Sequence, residues 1–431
     1  MELTMELLRE YGSAALQMLS QPFYYVALIV MILAYIRRTT LERRMFHVRL
    51  HAWPLLLFRA MSWGLLAGVI LSLAAASIGI LLTPDAVLWL WGTAAVLALL
   101  RVRYLCFAYS AGLLGLLQGL SSLLALEDSG GWIGSLAQSL AALDMPGLLL
   151  LVAGLHLVEA LLVRRDAGRL ASPLYLEGKR GKLIGGYSLQ GFWPVPLLLL
   201  VPAADGAVGT AALPWTPLLG GDAWAGGWTV LALPVVIGFV DLALSALPKQ
   251  QARLASRRLL LYSAVLAVLA LGAAFAAPLV PLASLAALGL HEALVLLGER
   301  RERQQPPRFV HDSRGLCILG VVPGTPAEEM GLEAGEVLHK VNGQRVRTKE
   351  ELYTALHENS AFCRLEVLNL EGQVKFVQRA RFDGEHHQLG VLLAPDEGAG
   401  YYAAPAHLSL LGLLRGDKAA RRRDGGESMT M

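Results

Sequence analysis

Five ionisable side chains interrupt long apolar segments of this chain: His156, Glu159, Asp241, His291 and Glu292. Placing such groups in hydrocarbon is costly, so each is a functional candidate by default. One interpretation is a buried polar site of the kind that transport would need. The alternative is hydrogen bonding between helices near the ends of the segments, where long side chains also reach water.

The segment 291–295, HEALV, begins like H-E-x-x-H, the zinc motif of membrane metalloproteases, some of which carry PDZ domains. That motif needs two histidines four residues apart on one helix face, and position 295 is valine. The chain contains no other H-E-x-x-H, no G-x-S-x-G and no Walker loop. We therefore predict that it is not an enzyme and has no catalytic residue, metal site or cofactor.

The composition is typical of a membrane protein with several spans. The chain has 431 residues, of which 55% are hydrophobic and 16% charged, with a mean hydropathy of +0.51; soluble proteins of this length rarely have such values. After an N-terminal segment (1–21) we predict a helical membrane domain at 22–303, with about nine spans. They lie at about 22–36, 55–82, 86–100, 104–124, 146–163, 192–203, 228–247, 258–276 and 281–298. The sixth is short and rich in proline.

Basic residues occur on one side of these spans only. Clusters of Arg and Lys lie at 37–49, 101–103, 164–182, 249–258 and 300–303, whereas the alternate loops carry Asp and Glu but no Lys or Arg. By the positive-inside rule, the basic loops and the part after the last span lie in the cytoplasm. We therefore expect a multi-pass protein of the cell membrane. The same location predicts that Cys106, Cys317 and Cys363 are free thiols.

Two stretches of the membrane domain, 109–166 and 262–302, resemble each other. Each begins with Tyr-Ser-Ala, has a proline ten residues before the histidine of a Gly-Leu-His, and ends in a basic pair followed by an acid. The related helices run in the same direction, so the pattern predicts a parallel internal duplication. The polar site would then be shared by the two copies, with His156 and Glu159 from one and His291 and Glu292 from the other.

The segment 315–343 (GLCILGVVPGTPAEEMGLEAGEVLHKVNG) predicts a small domain after the last span. An apolar run at 316–322 is typical of a buried strand, a Pro-Gly turn leads into a short helix, and 337–341 is a second strand that ends in Asn-Gly. This order closely resembles the core of PDZ domains, except that Glu336 stands where that family usually has aspartate. The resemblance covers 307–395 and implies an α+β domain that binds peptides as an added strand.

The order of the remaining elements predicts that this PDZ domain is circularly permuted. Residues 307–314 are too few for the strand and carboxylate-binding loop that usually precede the core, whereas two strands and the edge-strand signature Leu-Gly-Val at 389–391 follow it. A helix from about 349 to 359, begun by a Thr-x-x-Glu capping box, forms the opposite wall of the groove. The resemblance assigns peptide binding to Gln388, Leu389, Gly390, Val391, Lys349 and Tyr353. The alternative for the two helix residues is a solvated face.

The layout as a whole predicts a polytopic helical membrane domain, one cytoplasmic PDZ domain and a disordered tail at 396–431. It resembles the MinJ family of cell-division topology proteins of Firmicutes. The resemblance implies a membrane scaffold at cell poles and septa, with a DivIVA-like coiled-coil scaffold and a MinD-like ATPase as protein partners and no nucleic acid. Two alternatives stay open: a non-catalytic relative or regulator of membrane metalloproteases, and a transporter with a sensory PDZ domain.

Overall fold

The N-terminal part of the molecule is mostly helical. The computed structural model describes residues 2–203, 213–359, 362–380, 389–396, 401–403 and 420–422. The helices before the C-terminal domain are α1 (Glu2–Ser20), α2 (Pro22–Phe46), α3 (Trp53–Ile78), α4 (Pro84–Leu100), α5 (Phe107–Leu123), α6 (Gly131–Ala141), α7 (Met145–Leu162), α8 (Pro248–Phe275) and α9 (Val280–Gln304). A π-helical turn, Val163–Ala167, extends α7.

Five of the described segments are long and apolar enough to cross a membrane: Pro22–Phe46, Trp53–Ile78, Met145–Ala167, Pro248–Phe275 and Ala277–Gln304. The sequence predicted a span in each of them. The predicted spans at 86–100 and 104–124 are also helices, but they are the shorter α4 and α5. Helices α2, α3, α4 and α8 each have a proline in the first turn. Proline is favourable there because the N–H groups of the first turn have no acceptor within the helix. The expectation of a helical membrane part is therefore confirmed.

Two predicted spans, 192–203 and 228–247, are wrong because both segments are strands. After β1 (Ser172–Glu177), the strands β2 (Leu183–Pro202) and β3 (Trp228–Ala243) form a long antiparallel hairpin. Buried and less buried residues alternate along much of β2, which is the period of a strand. Pro194, Pro196 and Pro202 would each break a helix, so this apolar run crosses the molecule as a strand instead.

The prolines of β2 lie at positions whose N–H groups would face away from β3. On that open side the backbone N–H groups find side-chain acceptors: Phe192 donates to the Tyr35 hydroxyl (3.4 Å) and Leu198 to Ser72 Oγ (3.0 Å). Pro194 and Pro196 fall at the same alternate positions, and they have no N–H to leave unpaired. The strand thus avoids exposing backbone donors beside the apolar helices, where unpaired groups would be costly.

Helix α3 packs along β2, and every fourth residue of the helix meets every second residue of the strand. Four residues of a helix advance about 6 Å, and two residues of a strand advance about 6.6 Å. Gly64 and Gly68 therefore meet Pro194 and Pro196 in turn, and a Cβ on either glycine would overlap the carbonyl oxygen of its proline. The two glycines let the helix backbone touch the strand, as small residues four apart do between membrane helices.

Helices α5, α7, α8 and α9 form a bundle in which the two similar stretches are interleaved. Helix α5 packs mainly on α9, and α7 packs mainly on α8. The first helix of each stretch therefore contacts the second helix of the other. The α5–α9 contact is close because Gly112 and Gly115 lie against Ser284. The duplication itself stays a prediction, and this exchange of partners is the arrangement expected of two copies related by a two-fold axis.

The C-terminal domain has the predicted elements in the predicted order, with one further short strand, β6. They are β4 (Leu316–Val321), α10 (Pro326–Glu329), β5 (Val337–Val341), β6 (Gln344–Arg345), α11 (Lys349–His357), β7 (Phe362–Leu368), β8 (Val374–Ala380) and β9 (Val391–Leu393). The strand order is β8-β7-β5-β4-β9, and β6 pairs with β5. The last strand, β9, lies antiparallel to the first, β4. A permuted PDZ domain requires this pairing, because its edge strand comes from the end of the chain.

Two short strands lie within the predicted tail. Tyr401–Ala403 (β10) pairs in parallel with β1, and Ala420–Arg422 (β11) pairs with β10. At these two segments the structure differs from the prediction of a disordered tail, because the free edge of β1 offers backbone partners. Residues 397–400, 404–419 and 423–431 lie outside the described part of the chain.

The C-terminal domain packs directly on the sheet of the membrane part. The hydroxyl of Tyr187 on β2 donates to the carbonyl of Leu319, and the hydroxyl of Tyr175 on β1 donates to the carbonyl of Leu393 (3.0 Å). The N–H of Gly185 donates to the carbonyl of Phe309 (2.9 Å). These bonds hold β4 against β2 and β9 against β1, so the domain is joined to the membrane part by more than its linker.

Candidate peptide-binding groove and intramembrane polar cluster

The edge wall of the groove is β9 with the two residues before it. The carbonyl of Leu389 accepts from the N–H of Ala327 (3.0 Å), and the carbonyl of Gly390 accepts from the N–H of Val322 (2.9 Å). Gly390 has a φ of +85°, and a Cβ there would overlap the side chain of Thr325, so this conformation requires glycine. Among the described strands, β9 pairs with β4 alone. Its other edge is therefore available to an added peptide strand, except at the carbonyl of Leu393, which accepts from the Tyr175 hydroxyl.

Helix α11 supplies the second wall of the groove. The predicted capping box is present, since Thr348 Oγ1 accepts from the N–H of Glu351 (3.2 Å) and the Glu351 carboxylate accepts from the N–H of Thr348 (3.3 Å). Leu352 and Leu356 are buried in the domain core, as predicted. Tyr353 lies about 60° round the helix from Leu356 and is 65% exposed. A large aromatic ring at the rim of the core is thus available for contact with a ligand.

An ion pair joins the two walls at one end. Lys349, the first residue of α11, places Nζ 2.8 Å from the carboxylate of Asp396, which follows β9. Both side chains are 39% exposed, so water weakens the pair. An acidic group on a ligand would therefore exchange with Asp396 at little cost. Asp396 was not among the predicted groove residues, because it falls in the segment assigned to the tail.

His311 lies close enough to this ion pair for both charges to act on its pKa. Burial lowers the pKa of His311 below its ordinary value, and the positive charge of Lys349 acts in the same direction. Its Nδ1 accepts a hydrogen bond from the N–H of Cys317 (3.1 Å), which requires that nitrogen to be unprotonated. The neutral imidazole therefore supports the first strand of the domain, β4.

Five of the six residues predicted to bind peptide lie on these two walls, and Gln388 lies outside the described residues. Leu389 is buried, so it can offer a ligand only its backbone. Val391 is partly exposed on β9, and Lys349 and Tyr353 are accessible on α11. Peptide binding by these residues stays a prediction.

The structure brings the histidines of the two similar stretches together within the bundle. The rings of His156 on α7 and His291 on α9 are 5.1 Å apart between centroids. The ring of Tyr262 stands edge-on to His156 and that of Tyr109 edge-on to His291, each with a centroid distance of 5.0 Å. The two tyrosines come from matched Tyr-Ser-Ala segments. The sequence pattern therefore anticipated that the two histidines lie together, and their functional role stays a prediction.

The two glutamates of this cluster have different surroundings. Glu292 forms an ion pair with Arg103 and accepts a hydrogen bond from the Tyr109 hydroxyl (2.7 Å). Glu159 is buried, and its carboxylate lies 3.8 Å from Nε2 of His156. Among the described residues no Lys or Arg forms an ion pair with Glu159. Glu292 is thus neutralised by a protein cation, and Glu159 is not.

Asp241 lies apart from the cluster, on β3. Its carboxylate accepts hydrogen bonds from the Gln251 side chain (2.8 Å) and from the N–H of Leu242 (2.8 Å). The Gln251 contact ties the end of the hairpin to the start of α8, and the Leu242 contact is local to β3. A transport site that combines Asp241 with the histidines finds no support in this arrangement.

Cys106 also belongs to the cluster, although it was not among the predicted site residues. Its Sγ lies 3.3 Å from Nε2 of His156 and 3.8 Å from Nε2 of His291. The cysteine is 50 residues from one histidine and 185 from the other. Motif reading relies on short spacings, so a site assembled from three distant helices gives no such signal. The one available hint was the cysteine's position just before the first Tyr-Ser-Ala.

Comparison with known proteins agrees with the geometry of the C-terminal domain. A family model described as a PDZ domain matches residues 318–368. The chain is similar to the cell division topological determinant MinJ of Bacillus subtilis, with 30% identity over 390 residues, which cover 89% of this chain and 95% of the relative. It is also similar to a probable MinJ of Lacticaseibacillus paracasei, with 28% identity over 87% of this chain and 96% of the relative. No solved structure matches.

Proposed function

The chain belongs to the MinJ family of cell division topological determinants, and on that premise we propose that it is a non-enzymatic membrane adaptor that recruits protein partners through the groove between β9 and α11. The membrane part would confine the groove to one surface of the bilayer. Confinement raises the effective concentration of the groove for partners that are themselves bound to that surface. Recruitment then requires no bond-making chemistry.

The observation that carries this proposal is the groove itself. It has an unpaired edge among the described strands, a glycine that cannot be replaced without a clash, and an accessible tyrosine on the facing helix. Peptide addition to such an edge gives affinity through main-chain hydrogen bonds and specificity through side-chain pockets. A surface of this kind suits a protein whose task is to hold other proteins.

The family suggests the partners and the place of action. We propose a DivIVA-like coiled-coil scaffold as the partner that marks poles and septa, and a MinD-like ATPase as the partner that is brought there. The basic ends of the helices support a cytoplasmic groove, which is the side on which both partners would meet it.

A fluorescent fusion of the full chain in dividing rod-shaped cells tests the cellular role. We expect foci at septa and poles, since a scaffold at those sites would retain the adaptor. A uniform signal around the whole membrane would contradict the division-site role, even if the groove binds peptides.

The groove is tested by Tyr353→Glu, with Thr354→Glu as the matched control. Both positions are exposed on α11, so neither change should alter folding, but only Tyr353 borders the groove. We expect Tyr353→Glu to reduce co-purification of the MinD-like ATPase by at least about tenfold, the loss expected for one central aromatic contact, and Thr354→Glu to leave it unchanged. Equal capture by both variants would refute recruitment through the groove.

A further inference from the structure

We infer that Cys106, His156 and His291 bind one divalent transition-metal ion of the zinc class inside the helical bundle. One ligand atom from each of the three residues lies within 4.8 Å of the other two. Thiolate and imidazole are the ligands that zinc prefers in proteins. The three residues come from three parts of the chain, so that their convergence is a property of the fold.

The distances between the three side chains suit tetrahedral coordination. With a Zn–S bond of about 2.3 Å and a Zn–N bond of about 2.0 Å, a sulfur and a nitrogen ligand are about 3.5 Å apart. The two Sγ–Nε2 distances, 3.3 Å and 3.8 Å, lie on either side of that value. An ion therefore fits between the side chains with small adjustments of rotamer.

Hydrogen bonding prepares His156 for this role. Nδ1 of His156 donates to the carbonyl of Val152 (2.8 Å), because a carbonyl oxygen can only accept. The lone pair of that ring is therefore on Nε2, the nitrogen beside Cys106, and a backbone partner on the distal nitrogen is typical of metal-ligating histidines. Nδ1 of His291 is buried and makes no hydrogen bond to the described residues. Coordination would therefore use Nε2 of His291, the nitrogen that lies beside Cys106.

We assign Glu159 as the fourth ligand. Its carboxylate lies 3.8 Å from Nε2 of His156, but it is not among the ligand atoms that lie within 4.8 Å of one another, so its side chain must change rotamer to reach the ion. One thiolate and one carboxylate balance the two positive charges of the metal. Binding releases the proton of the Cys106 thiol to solvent. The ion would thus supply the countercharge that a buried carboxylate needs.

With Glu159 as the fourth ligand, no position is left for a water molecule, so the ion would be structural and not catalytic. It links the start of α5 to the middle of α7 and α9, which joins the two similar stretches. The ligands lie near the basic ends of these helices, since His156 is eight residues before Arg164, about 12 Å along the axis. The proposed metal site does not depend on peptide binding. Evidence against the metal site would therefore leave the proposed adaptor function unaffected.

Metal content and cobalt absorption of the full chain in detergent test the site. Protein prepared without chelators should carry one zinc ion per chain, and exchange with Co²⁺ should produce the absorption of a thiolate–cobalt bond. Cys106→Ser should remove this absorption, and Cys317→Ser, the control in the C-terminal domain, should keep it. Absence of the band in the wild type after addition of Co²⁺, or its persistence in Cys106→Ser, would overturn the proposal.

Alkylation of the wild-type protein makes the test independent of whether the variants fold. The rate of maleimide attachment to Cys106, read by mass spectrometry relative to Cys317, should rise when Zn²⁺ is removed with a chelator and fall when Zn²⁺ is restored. A metal-bound thiolate is shielded in this way because its lone pair is engaged. A Cys106 rate that Zn²⁺ does not change would overturn the proposal.

Discussion

Gly390 fixes the conformation of the loop that leads into the edge strand of the groove. Its backbone has a φ of +85°, and its Cα hydrogen faces Thr325 in the turn before α10. Two carbonyls at this point accept from the N–H groups of Val322 and Ala327. The loop that leads into the edge strand is therefore fixed to the first strand and the first helix of the domain.

Replacement of this glycine should destabilise the C-terminal domain. We expect Gly390→Ala to reduce its stability by about 1–3 kcal/mol from backbone strain, with a further loss from the overlap with Thr325. Hydrogen exchange at the Val322 and Ala327 amides should report the loss. Gly372→Ala is the control, since that residue has a similar φ (+81°) but open space at its Cβ. Equal effects of the two substitutions would contradict the importance of the clash.

Acidification should weaken the C-terminal domain through His311. Burial lowers its pKa below the ordinary 6.5, so the unfolded chain binds this proton more tightly than the folded one. The stability that depends on the neutral ring is complete above about pH 6.5 and is lost as the pH falls towards and through the folded pKa. The protection of the Cys317 amide against hydrogen exchange should decrease over this range.

His311→Asn provides the control for this titration. The asparagine oxygen can accept from the Cys317 N–H near the position of Nδ1 but does not titrate. The variant should therefore lose the pH dependence and keep most of the protection. Identical pH profiles for the two proteins would show that another group is responsible.

At the scale of elements, the hairpin of β2 and β3 is held by the fit between α3 and the strand edge. We expect Gly64→Val to destabilise the membrane part by about 1–3 kcal/mol or more, because its side chain would meet the backbone of Pro194, which cannot move aside as a flexible side chain can. Thermal unfolding in detergent measures this. Gly92→Val is the matched control, since a Cβ there meets nothing within 4 Å. Similar losses in both variants would refute the fit.

The hairpin also marks the limit of what hydropathy can predict. Apolar content alone does not separate a buried strand from a spanning helix, and 192–203 and 228–247 are apolar enough for either. The informative signal was Pro194, Pro196 and Pro202, which fall on alternate residues of one strand edge. Their spacing favours an edge strand, but only the position of α3 explains why such an edge is tolerated inside the molecule.

The C-terminal domain could be predicted because its sequence signals are local, unlike those of the hairpin. Its turn residues, capping box and strand order are local signals, and each is tied to a specific backbone conformation, such as the positive φ of Gly324, Gly331 and Gly343. The two histidines of the bundle were also predictable, because they occupy matched places in the two similar stretches. Cys106 and Asp396 were not, since their partners are distant in sequence and are brought to them only by packing.

At the scale of the whole molecule, the arrangement predicts on which side of the membrane each part lies. A cysteine introduced at the exposed Ser313 should react with a membrane-impermeant maleimide only after cells are permeabilised, because the C-terminal domain follows a basic helix end. A cysteine at the exposed Asp128, in a loop without Lys or Arg, should react in intact cells. The unsubstituted chain gives the background from native thiols. Labelling of Ser313→Cys in intact cells would reverse the assigned orientation.

The hydroxyls of Tyr175 and Tyr187 fix the C-terminal domain to strands that run beside helices long and apolar enough to span a membrane. A peptide bound in the groove would therefore have a fixed angle to the bilayer normal. A protein bound through that peptide would not reorient freely, as it would if the domain were attached only by a flexible linker. Neighbouring copies would then hold their bound partners in the same orientation. Accumulation of these molecules at one site would therefore also align the bound partners.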